Sequence, residues 1–129
     1  MTAAREGIAV LDATAGPALR IVEGEGSAHA VVWPGTGAQL RSLARIRLGA
    51  GARTVALRHP DEAVYYVIEG YGSVAEGHAA EPNALVPGAM VHIDPGTLYV
   101  ITADERGLDL VGGPSPADPA LYALVTEGA

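Results

Sequence analysis

Glycine or proline interrupts this chain so often that only short runs of regular structure fit between the breaks. Seventeen glycines and nine prolines punctuate 129 residues. The runs between them are β-branched, aromatic or alternating, and none carries an amphipathic helical stripe. They fall at Leu19 to Val22, His29 to Trp33, Gln39 to Leu48, Ser73 to Glu76, Leu85 to Val86, Ala89 to Ile93, Leu98 to Thr102 and Leu108 to Val111. The densest stretch is Gly51 to Gly70, where Val55 and Leu57 lead to His59, Pro60 and Asp61 break the run, and Val64 to Ile68 form a β-branched and aromatic block. About ten short strands at close spacing predict an all-β sandwich or barrel.

Alternation gives the strands their sides. From Gln39 to Leu48, the residues Leu40, Ser42, Ala44, Ile46 and Leu48 share one face, with Arg41, Leu43, Arg45 and Arg47 on the other. Helix is predicted only near the end, where Asp118 precedes Pro119 and ALYALV as an N-cap with proline at the first helical position. The expected organisation is an arm or edge strand over 1–16, closed by Gly16-Pro17, and one barrel domain over 17–129.

Composition excludes several classes of function. There is no cysteine, hence no disulfide framework, thiolate metal site or cysteine nucleophile. A formal charge of −7, with eight arginines and no lysine, argues against nucleic acid as a partner. Arg41, Arg45, Arg47, Arg53 and Arg58 cluster, either as a solvated strand face or as a recognition patch for an anionic small molecule. No apolar run approaches the ~18 residues of a membrane span, so a cytoplasmic protein without a membrane partner is the expectation.

Two glycine-anchored segments, carrying HPDEAVYYVIEGYG and IDPGTLY, are similar to the paired motifs of the cupin superfamily. Gly51 to Gly70 resembles the first, G(X)5HXH(X)3-4E(X)6G, and Gly88 to Ala103 the second, G(X)5PXG(X)2H(X)3N. The resemblance implies a cupin-type jelly-roll β-barrel, or double-stranded β-helix, with the short C-terminal helix packed on it. It also implies a homodimer, since such proteins often pair sheets or exchange N-terminal strands.

The family's metal ligands fall here on Leu57, His59, Ala63 and Tyr99, and the motif asparagine on Ala103. One customary ligand remains, so no metal site and no cofactor are expected. Glu62 lies next to the vacant glutamate position, but a one-residue displacement along a strand turns it to the opposite face. If His59 points inward, so do Val55 and Leu57, then Ala63, Tyr65 and Val67, and from the second motif Tyr99 and Ile101. These residues outline a mostly apolar small-molecule pocket with one imidazole and two phenols.

Three readings remain open at this point. In the first, the chain is a metal-independent enzyme of isomerase, cyclase, dehydratase or lyase type, acting by proton transfer on a small, partly apolar carbonyl compound of a biosynthetic pathway. His59 would move the proton and Tyr99, with Tyr65, would hold the developing enolate oxygen. In the second it is a non-catalytic binding or sensor protein. The third is a metal-dependent oxygenase with an unusual ligand set drawn from His59, His92 and Tyr99. Tyr66 is expected to point away from the pocket, and His29 and His78 to lie at the surface.

Overall fold

In a computed structural model, residues 7–77 and 81–123 are described. They form eight strands and one short helix: β1 (Val22–Glu23), β2 (Gly26–Val32), β3 (Leu43–Leu48), β4 (Arg53–Thr54), β5 (Ala63–Glu76), β6 (Asn83–Leu85), β7 (Met90–Ile93), β8 (Tyr99–Pro114) and α1 (Pro119–Tyr122). Every pairing is antiparallel. None of the described helices is long and apolar enough to cross a membrane.

The two long strands organise the barrel. β5 and β8 pair from Ala63 opposite Pro114 to Glu76 opposite Tyr99, with register shifts around Ile68 and Tyr71. On one side of that corner the sheet runs β2, β3, β8, β5, β7; on the other it runs β1, β4, β8, β5, β6. This two-layered arrangement sharing its long strands is a jelly roll.

Eight strands replace the ten expected because four predicted runs fuse into β5 and β8. The glycines between them bend the backbone without ending the pairing. Gly70 has φ +91°, and a Cβ there would stand 2.2 Å from the Gly107 carbonyl oxygen. Only a residue without a side chain fits that approach.

Inward positions follow the period of two. Ala44, Ile46 and Leu48 are buried on β3, as are Ala63, Tyr65 and Val67 on β5 and Tyr99, Ile101 and Ala103 on β8. Ser42 is also buried, its hydroxyl donating to the Pro114 carbonyl. Leu40 departs from the expected face and is 73% exposed, because β3 begins only at Leu43, after the 3-10 turn at Pro34–Thr36 and the irregular segment that follows.

Three of the five clustered arginines are paired at the surface. Arg45 makes a bidentate contact with Asp109, which Arg47 joins at 3.6 Å, and Arg53 meets Glu23.

At the N-terminus, no strand forms over 7–16; pairing begins with Ala18 opposite His29. His29 is half-buried, not a surface residue, because its Nδ1–H donates to the Gly16 carbonyl at 2.9 Å. Ile8 and Val10 stand in solvent. At the other end, Asp118 caps α1 as expected, accepting from the Ala120 amide at 2.9 Å. His78 and the part of the predicted helical run after Ala123 lie outside the described residues.

Candidate functional site

His59 is placed by the strand register of its neighbours. Leu57 and Tyr99 exchange both backbone hydrogen bonds at 2.8 Å, and the Gly96 amide donates to the His59 carbonyl at 2.8 Å. Two residues beyond Leu57, the imidazole therefore turns to the same interior side. There it meets Tyr99, whose ring lies edge-on at 5.6 Å between centroids.

Four polar side chains join in a line inside the barrel. His59 Nδ1 is hydrogen-bonded to Asp118 Oδ2 at 2.7 Å, His59 Nε2 to the Tyr99 hydroxyl at 2.8 Å, and Tyr99 to the Tyr65 hydroxyl at 2.6 Å. All four residues are at least 95% buried. Low dielectric and the absence of competing water strengthen such a chain and make any broken link costly.

Burial also fixes the phenols in their neutral form. It pushes Tyr65 up to about 12, against a weaker lowering influence of the hydrogen bond with Tyr99. Burial and then the adjacent Tyr65 push Tyr99 far above the ordinary phenol range. Neither hydroxyl holds a negative charge near neutrality. A proton can cross them only if each oxygen gains one as it releases another.

Asp118 reaches this line from the C-terminal segment. Beside it, Leu121 is buried in the core and Tyr122 stacks on Trp33 at 5.3 Å. The segment thus covers the end of the barrel where His59 sits. The partnership of Asp118 with His59 was not visible in the sequence. Its only local signal was that of a helix cap.

The other expected pocket residues are where alternation put them. Leu57, Ala63, Tyr65, Val67, Tyr99 and Ile101 are all buried together, and Val55 packs partly buried against them. They meet as packed core. Two broad clefts lie elsewhere on the barrel. One of about 660 Å³ sits at the strand corner near Gly70 and Gly107, and one of about 470 Å³ lies on the outer sheet face over Val64, Tyr66 and Met90. A smaller cleft of about 160 Å³, between Thr97, Asp94 and His92, reaches Tyr99.

The donor set at the motif positions is too poor for a metal. Leu57 and Ala63 offer no donor, and both nitrogens of His59 are engaged by Asp118 and Tyr99. No group of three or more histidine or acidic side chains suited to a metal occurs among the described residues. His92 does not complete one: its Nε2 bonds Glu62 at the surface, at 2.5 Å, and Asp94 lies 3.7 Å from its Nδ1. The residues present do not fit the family's metal. Glu62 faces outward, as its register predicted, and Tyr66 does too.

No protein-family model matches the sequence, and no curated protein matches it. Solved structures do resemble it. An RmlC-like cupin from Shewanella frigidimarina superposes with a TM-score of 0.63 at 19% identity, over 78% of this chain and 85% of the other. A cupin-like protein from Thermotoga maritima gives 0.66 at 21% identity, over 84% and 90%. KdgF from a Halomonas species gives 0.62 at 19% identity, over 76% and 84%. Long strands bent at glycine, the paired layers and these superpositions agree: the chain has the cupin jelly-roll fold.

Proposed function

We propose that this protein is a metal-independent acid–base enzyme acting on a small, partly apolar carbonyl compound, in a reaction of isomerase, cyclase, dehydratase or lyase type. One observation carries this reading: the buried line Asp118–His59–Tyr99–Tyr65, in which an imidazole joins a carboxylate on one side to a chain of hydroxyls on the other. His59 stores the proton, and Tyr99 and Tyr65 carry it between the imidazole and the ligand oxygen.

The test is deuterium exchange from D2O into a panel of 2-oxo acids, β-diketones and hydroxyaldehydes, followed by NMR. Wild-type protein exchanges the hydrogen next to the carbonyl of at least one class, and His59→Gln lowers that rate by about 100-fold or more. Equal rates in the two proteins overturn the reading.

A second reading, a ligand-binding protein without turnover, draws on the near-complete burial of the line. It is assigned if the same panel shows binding by chemical-shift change but no exchange.

The assembly that fits the surface is a homodimer. The outer face of the β3–β8–β5–β7 layer carries Val64, Tyr66 and Met90 exposed, beside Leu43 and Val111 in one cleft. A contiguous apolar face of this kind marks an interaction site. Light scattering is expected to give twice the 13.1 kDa chain mass, and Tyr66→Glu to shift it toward the single chain.

A further inference from the structure

Asp118 is the one buried carboxylate among the described residues, and both its oxygens are committed. Oδ1 accepts from the Ala120 amide and Oδ2 is hydrogen-bonded to His59 Nδ1. The residue thereby belongs to two structures at once, the cap of α1 and the polar line of the interior. We infer that Asp118 is a positioning residue that gives the line its direction, holding the imidazole proton on Nδ1 and leaving Nε2 as a lone-pair acceptor.

The direction then propagates. A carboxylate can only accept, so His59 donates to it through Nδ1. A neutral imidazole protonated at Nδ1 accepts at Nε2, so Tyr99 donates its O–H there. Having spent its single proton, the Tyr99 oxygen accepts from Tyr65. Every proton points toward Asp118, and the far end of the line, the Tyr65 oxygen, offers lone pairs and no proton.

The experiment is nitrogen–proton correlation NMR of the imidazoles in the uniformly 15N-labelled full chain, with His59 assigned by its loss in His59→Gln. Wild type is expected to carry the proton on Nδ1 with a bare Nε2. Asp118→Asn is expected to reverse this, because the new amide donates to Nδ1 and drives the proton to Nε2, as a carboxylate-to-amide change beside a histidine does elsewhere. A purely structural cap would leave the tautomer unmoved.

A wild-type His59 protonated at Nε2, or at both nitrogens, overturns the inference, and so does an Asp118→Asn protein that keeps Nδ1–H. If that variant does not fold, the wild-type tautomer alone decides. The readout needs no substrate. The expected tautomer without any carbonyl exchange sinks the enzyme reading alone, whereas exchange with the opposite tautomer sinks the direction alone.

Discussion

Replacing Tyr99 by phenylalanine isolates the centre of the polar line. The ring is 1% exposed and is kept, so no cavity opens and the hydrophobic contribution is nearly unchanged. What is lost is a hydroxyl with two partners, His59 Nε2 and the Tyr65 hydroxyl. Both are left unpaired in the interior at a cost of about 1–3 kcal/mol each, partly offset because the Tyr99 hydroxyl no longer needs desolvation. The expected net loss is about 2–4 kcal/mol. Tyr65→Phe removes only the end of the line, leaves Tyr99 bonded to His59, and costs about 1 kcal/mol. The double variant no longer has the orphaned Tyr65 hydroxyl, so its cost falls short of the sum of the singles by about 1–2 kcal/mol. Urea unfolding with unchanged m-values measures all three. The reasoning fails if Tyr65→Phe is the more damaging change, or if the two losses add within about 0.5 kcal/mol.

Elsewhere the structure separates pairs that look alike. Asp109→Ala, which strips Arg45 of a bidentate partner in a half-buried setting, is expected to cost about 1–2 kcal/mol, and Arg47→Ala no more than about 0.5 kcal/mol by the same unfolding measurement. Gly70→Ala meets both a positive φ and the Gly107 carbonyl and is expected to cost about 3 kcal/mol or more. Gly51→Ala, at φ +74° in open space, costs about 1–2 kcal/mol by the same assay. The hydrogen bond that His92 donates to Glu62 raises it above its ordinary 6.5. A histidine raised on folding stabilises fully below its unfolded value and loses that contribution as pH rises through its folded one. NMR titration should therefore place His92 above 6.5, and Glu62→Gln should return it and flatten the small decline in stability over that range.

Period-two alternation made the interior legible from the chain alone. Once His59 was set inward, Ala63, Tyr65, Val67, Tyr99 and Ile101 followed, and all are buried. Alternation assigns a side but not a volume, which is why the same residues read as pocket walls and are found packed as core. Glycine was read as a strand terminator, whereas Gly70, Gly72 and Gly107 bend paired strands. Whether a glycine ends or bends a strand depends on a partner strand far away in sequence. Leu40 was misplaced for the converse reason: a pattern can extend past the residues that have a neighbour to pair with.

Asp118 was illegible as a site residue because 59 positions separate it from His59 and nothing local distinguishes a capping carboxylate from one that also faces a core. Its presence changes what the motif resemblance means. Tyr99, at the position where the resemblance places a histidine, reaches the very Nε2 through which His59 would otherwise face a metal, while Asp118 takes Nδ1. The imidazole is therefore spent on both sides. Restoring a histidine at 99 would not rebuild a metal site, since Leu57 and Ala63 still offer no donors and His59 is still bound to Asp118. Tyr99→His dialysed against zinc is thus expected to retain less than about a tenth of an equivalent in metal analysis, and stoichiometric uptake would refute the view that the polar line has replaced the metal.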